Sequence, residues 1–299
     1  MKIEGKDLEF WFNGIEIPTI SIGLSEAFDS LDSTDSATPG DGKDFEVGRA
    51  TRSFSVETNL YEPEGAEINT GTLTVGRRYR VTAKDTALAA YTIGQIFEAT
   101  SALTMSATDK VVPLGDKLTG KTLGFTLGGA AVPLTAVDIS IKFDSIDVTD
   151  TSTTGDGTET IVSRAERASK LSAILKSDDV DLLSTNPTSE AAVLTLASGQ
   201  TVTGNVIPIS KEIADEATGY AKVDYSFKWK GAPTEVNTGL ICGVEHTFKL
   251  ILKRGVTTNK EYTGNAIITE KTISSEVKGL TKTSYSVSIN GVLTRAVAN

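Results

Sequence analysis

His246 is the only histidine in this chain of 299 residues, and Cys242 the only cysteine. One imidazole and one thiol cannot assemble a Cys/His zinc set. A Ser-His-Asp triad would have to use His246, and no G-x-S-x-G elbow is present to carry the serine. The glycine-rich phosphate loops GxGxxG and GxxxxGK[ST] are missing as well. His246 follows Glu245 in a segment that reads as a strand, a setting more typical of packing or surface positions. Cys242 lies in the apolar context GLICGVEHTF, which predicts an inert buried thiol and no internal disulfide. The 39 acidic side chains offer no pair whose spacing marks a carboxylate dyad. The inventory points away from an enzyme and away from any cofactor.

The carboxylates concentrate in one phrase that occurs twice. FDSLDSTDSATPGDG spans 28–42 and FDSIDVTDTSTTGDG spans 143–157. They carry Asp29, Asp32, Asp35 and Asp41 in the first copy, and Asp144, Asp147, Asp150 and Asp156 in the second. Clustered carboxylates suit calcium, but the spacing is neither that of an EF-hand nor that of a β-roll. The plainer reading is a solvated, flexible loop, because Ser, Thr, Asp and Gly form turns by bonding their own backbone. Recurrence asks for more, and assembly or a channel surface would supply it. Arg49 and Arg52 follow the first phrase as Arg164 and Arg167 follow the second. They are candidates for pairing with carboxylates of a neighbouring subunit, or within the chain, where surface pairs contribute little.

These phrases sit inside longer repeats. Residues 8–60 align with 123–175 at a constant offset of 115, with 20 identities in 53 positions. Residues 203–234 align with 263–294 at an offset of 60, with 13 identities, including Gly204/Gly264, Tyr225/Tyr285 and Gly231/Gly291. Order along the chain is A, insert, A, B, B. Two copies of one A+B unit, nested or exchanged, account for it, and duplication favours a quasi-symmetric assembly.

The elements that must carry the phrases read as strands. LEFWFNG alternates apolar residues up to Asn13-Gly14, a strong hairpin signal. IEIPTISIGL continues, with Pro18 marking an edge or bulge. FEVGRATRSFSVETNLYE alternates again after the first phrase. TVTGNVIPISKEI and KVDYSFKWKGAPT read as strands, the latter with Tyr225, Phe227 and Trp229 on one face. The best helix candidate is RAERASKLSAILKSDDVDLL (164–183), with Leu171, Ile174 and Leu175 at helical spacing. Residues 66–113 have no counterpart and read as a small module of short strands.

Composition sets the remaining bounds. Charged residues are 23% and hydrophobic ones 39%, which disfavours global disorder. No apolar run approaches the ~20 residues of a membrane helix. The start, MKIEGKDLEF, lacks the apolar stretch of a signal peptide, so synthesis and folding in a cytoplasm are expected. A net charge of −10 disfavours gripping DNA and suits a surface that lets DNA pass.

The hairpin, the phrase Leu31-Asp32-Ser33-Thr34-Asp35 or Ile146-Asp147-Val148-Thr149-Asp150, a glycine turn and an alternating strand form a pattern. With the closing Ser-x-x-x-x-Gly-x-x-Thr at Ser226–Thr234 and Ser286–Thr294, it resembles the major tail tube proteins of long-tailed double-stranded-DNA phages. The resemblance covers both repeats and leaves out the insert. It implies a mainly-β chain with two tail-tube-like β-sandwich or half-barrel domains bearing long hairpins. On that reading, 1–65 and 241–299 form tube domain 1, 115–240 form tube domain 2, and 66–114 are an outer decoration. In such proteins hairpins join into one barrel around an acidic lumen, six domains to a ring, and DNA passes through without specific binding. The family has one such domain per chain; with two, a trimer gives a pseudo-sixfold ring, with a hexamer as the alternative. The implied partners are further copies of itself and other tail proteins, with no membrane, and the implied location is the virion tail, assembled in the host cytoplasm. A capsid decoration or connector protein, or a β-sandwich adhesin, are the alternatives.

Overall fold

The structure is a computed structural model that describes residues 8–33, 45–106, 108–153, 156–174, 188–214, 222–253 and 259–298. It is mainly β, as expected. The only helical element among the described residues is a 3-10 turn, Gly120–Thr122.

The first repeat supplies β1 (Leu8–Phe12), β2 (Ile15–Ile17), β3 (Thr19–Asp32) and β4 (Phe45–Asn59). A small module follows with β5 (Arg78–Ala83), β6 (Ile96–Glu98) and β7 (Lys110–Pro113). The second repeat opens with β8 (Gly124–Leu127), β9 (Ala130–Val132), β10 (Ala136–Asp147) and β11 (Thr160–Ile174). Then come β12 (Glu190–Ala197), β13 (Gln200–Ala214), β14 (Lys222–Val236), β15 (Glu245–Lys253), β16 (Asn259–Glu276) and β17 (Lys282–Ala298). Asn13 and Gly14 take φ of 52° and 73°, the left-handed pair that a tight β1–β2 hairpin requires.

The two repeats build sheets of identical strand order. One runs β2-β1-β15-β16-β17-β4-β3, the other β9-β8-β12-β13-β14-β11-β10, all antiparallel. The second unit is nested within the first, between β4 and β15. Even the bulges recur. Phe28/Ser30 in β3 matches Phe143/Ser145 in β10, and Pro208/Ser210 in β13 matches Ile268/Glu270 in β16.

Each unit is one sheet rolled over its own core. Phe10 of β1 and Phe54 of β4 lie four strand steps apart, roughly 19 Å across a flat sheet. Their ring centroids are 5.3 Å apart, so the sheet must curl. Phe125 of β8 meets Phe227 of β14 at 5.6 Å in the same way. Phe10, Phe12, Phe54, Phe248, Ile268 and Tyr285 belong to the first core, and Leu171, Leu194, Val206, Phe227 and Trp229 to the second. The inserted module has its own core around Tyr79, Val81, Leu88 and Val111. It docks on the β1–β2 hairpin, where the Ile96 N–H donates to Glu16 Oε2 at 2.7 Å and the Glu16 N–H to the Gly94 carbonyl at 3.1 Å.

Two expectations need correction. The helix expected at 164–183 is strand through Ile174, and the rest of it lies outside the described residues. Ser169, Leu171 and Ala173 are buried in alternation, and β11 is hydrogen-bonded on both edges, by β10 and β14. Two ladders of backbone bonds override the helix preference of Ala, Glu, Lys and Leu. The acidic phrase is also not all loop. Asp29 and Asp32 fall in β3, and Asp144 and Asp147 in β10. The hairpin ladder runs on past the bulge through Ile146↔Ile161 and Asp147↔Thr160.

Phe54 is 3% exposed and contacts both Phe10 and Phe248. Phe54→Ala is expected to lower stability by about 3–5 kcal/mol in urea unfolding, the usual loss for a buried ring. A loss under about 1 kcal/mol contradicts the rolled packing.

Candidate functional site

The two units are joined edge to edge. β10 of the second unit pairs with β16 of the first, from Ala136↔Glu276 to Lys142↔Glu270. Only the far half of β16 is free for this, because β15 occupies its near half along 259–267. At the centre of the seam Ile139 faces Ile273, 2% and 1% exposed. Beside them the Lys271 ammonium is buried and neutralised, donating to Glu235 Oε2 at 2.7 Å and Thr238 Oγ1 at 2.9 Å.

The seam makes eight strands continuous in the order β13-β14-β11-β10-β16-β17-β4-β3. One face of this wall covers the two cores. Alternation puts small hydroxyls and paired charges on the other, such as Ser53, Ser55, Ser284, Ser286 and Ser288 across β4 and β17. Lys282 reaches Glu57 at 2.9 Å, Lys228 reaches Glu166 at 2.8 Å and Lys170 lies 3.7 Å from Asp224. These exposed pairs add little stability. Their effect is to set a carboxylate beside three of the lysines on that face.

The two ends of the wall are open. Among the described residues β3 pairs only with β4, and β13 beyond Val206 only with β14. Leu24 and Phe28 on β3 are 40% and 51% exposed, and Ile209 and Ile213 on β13 are 54% and 53% exposed.

A clasp reinforces the seam. The second acidic phrase bends across the first unit and lays Asp156-Gly157-Thr158 beside Ala50 of β4. The Ala50 N–H donates to the Asp156 carbonyl at 2.6 Å, and the Thr158 N–H to the Ala50 carbonyl at 3.1 Å. Arg52, 4% exposed, donates from Nη1 and Nη2 to the Asp156 carboxylate at 3.1 and 2.6 Å, and from Nε to Glu26 at 2.6 Å. Arg295 also donates to Glu26. Arg49 donates to the Asp150 carbonyl at 3.0 Å and the Gly157 carbonyl at 3.2 Å. Gly157 is forced here, since a side chain would collide with the Gly291 carbonyl. Arg52 holds the Asp156 and Glu26 carboxyls below their ordinary range.

The remaining aspartates of the phrase serve local turns. Asp147 accepts from the Thr149 N–H at 2.9 Å, and Asp150 from the Ser152 N–H and hydroxyl at 2.7 and 2.6 Å. These bonds lower both carboxyls. No group of three or more metal-ligating side chains occurs among the described residues. Asp29 and Asp144 are exposed on their strands, while Asp35, Asp41 and the Asp32 side chain lie outside the described residues. Arg164 is exposed, and Arg167 lies over the Phe143 ring at 5.7 Å. Burial raises the Cys242 thiol to about 11, so it stays protonated, and His246 packs edge-on against Phe12 at 5.3 Å. Glu26 escaped the sequence reading because its aligned partner is Ile141, so no identity marked it. Lys271, by contrast, is identical to Lys211 and carried that signal.

No protein-family model matches this chain, and no curated protein matches it.

Because Arg52 depresses Glu26 and Asp156, their contribution is present above the ordinary carboxylate range and is lost as pH falls through their lowered values. Urea midpoints of the wild type should fall more steeply below about pH 4 than those of Arg52→Gln, and the two curves should converge in acid. Parallel curves would show that the clasp carries no linked protons.

Proposed function

We propose that this chain is a structural subunit of a phage tail tube, whose copies close into stacked rings around a channel for DNA. The observation that carries the reading is the eight-strand wall, in which two like-folded units already continue one another through the β10–β16 seam. A unit that joins its twin edge to edge, and leaves the same edges open at both ends, is a segment of a longer wall.

Ring size follows from strand count. Three copies bring 24 strands, and a spacing of about 4.8 Å gives a perimeter of roughly 115 Å and a backbone diameter near 37 Å, which strand tilt widens. Closed barrels of 16–18 strands already hold an aqueous channel, so this one holds a wider bore. The hydroxyl-rich face, where Lys170, Lys228 and Lys282 each have a carboxylate beside them, and the net charge of −10 suit a channel wall that DNA slides past, because adhesion to phosphate is driven by unpaired cations. The inserted module, attached through the β1–β2 hairpin on the core side, belongs on the outside.

Electron micrographs of negatively stained protein are expected to show rings or tubes with a central channel. Light scattering of single rings is expected to give three times 31.6 kDa. Separate single-chain particles at high concentration, at every salt concentration, rule the proposal out.

A further inference from the structure

We infer that β3 and β13 are the two halves of a second seam that another copy of this chain completes, with Leu24 facing Ile213 and Arg167 receiving Asp41-Gly42 of that copy. The inference gives the assembly read above its contact surface, and it rests on the repeat geometry.

The internal seam is the template. Offsets of 115 and 60 carry β10 onto β3 and β16 onto β13, and the ladders and bulges inside each unit agree with both offsets. The internal pairs Asp138↔Ser274, Ile139↔Ile273, Ser140↔Thr272 and Lys142↔Glu270 therefore become Gly23↔Ala214, Leu24↔Ile213, Ser25↔Glu212 and Ala27↔Ser210. Ile139 and Ile273 are buried by each other's strands at 2% and 1% exposure. Leu24 and Ile213, at the same places, are 40% and 53% exposed. The pair Ile141↔Lys271 becomes Glu26↔Lys211, opposite charges across the new ladder. The two edges sit at opposite ends of the wall, so the contact is heterologous and runs head to tail between chains.

The clasp repeats under the same offsets. Arg52, Ala50 and Gly291 receive Asp156-Gly157 within the chain. Their counterparts Arg167, Ala165 and Gly231 form a like surface on β11 and β14 of the second unit. Arg52 is buried, whereas Arg167 is half-buried and Arg164 exposed, as expected of a receptor without its occupant. By sequence that occupant is Asp41-Gly42 of a second copy, which lies outside the described residues.

Single-cysteine chains test the register. Leu24→Cys and Ile213→Cys, each in a Cys242→Ser background, are mixed and oxidised. Directly opposed strand positions bring Cβ atoms to about 5 Å, within reach of a disulfide after small shifts. A dimer band on non-reducing gels is expected from the mixture and not from either chain alone. Arg167→Glu is expected to weaken self-association by about tenfold or more in sedimentation, with recovery when the added copy carries Asp41→Arg. The register is overturned if the protein is oligomeric and the mixture does not cross-link, or if the wild type is monomeric at all concentrations. Unchanged association of Arg167→Glu overturns the clasp. A cross-linked oligomer without a channel removes the tube and leaves the seam; tubes without the cross-link do the reverse.

Discussion

A strand at the border of a sheet presents a row of backbone N–H and C=O groups that must be bonded to something, and this constraint shapes the whole molecule. Each seven-strand unit rolls far enough to seal a core, yet it does not close. Among the described residues one of its border strands, β10 or β3, has no partner within the unit on its outer edge, and neither does the far half of its longest hairpin, β13 or β16. Within the chain one free edge of each kind meets the other, and the match is tight enough to bury Ile139, Ile273 and a neutralised Lys271. The pair of edges left at the two ends of the wall is the arithmetic remainder of having two units, and it exposes large apolar side chains, Leu24 and Phe28 on β3 and Ile209 and Ile213 on β13.

Much of this was legible before any coordinates. The constant offsets located β1–β4 against β8–β11 and β16–β17 against β13–β14, because bulges and turns fix register and leave glycines and asparagines behind. Asn13-Gly14 announced its turn for the same reason. What was not legible has physical causes. β12 and β15 play one role in the two units but share little sequence, since a buried middle strand needs only apolar residues of suitable size. β11 wears helix-forming side chains on its polar face because that face is indifferent to them; its two ladders decide the conformation. The bonding partner of a strand edge leaves no mark in local sequence at all, so the seam itself had to be seen.

The doubled acidic phrase also finds its reason. Its length is set by reach, since the second copy must stretch from β10 over to β4 and β17 of the other unit. Its Asp-Gly is set by the landing site, where a carboxylate meets a buried guanidinium and a missing side chain lets two backbones approach. A bidentate arginine pair fixes geometry as well as adding energy, so the clasp selects one docking angle between units. The Thr, Ser and remaining Asp residues hold the arch in shape by bonding to its own backbone.

The nesting of one unit inside the other bears on how the molecule is made. Emerging from the N-terminus, the inner unit has all seven of its strands once Val236 has been synthesised. The outer unit by then has only β1 to β4 and waits for β15, β16 and β17 to fill the middle of its sheet. Until those last strands arrive, β4 lacks its neighbour β17 and Phe10 and Phe54 lack most of their enclosure. Chain order thus lets the inner unit complete its sheet before the outer one, and the interval open to misassembly is the translation of β15 to β17.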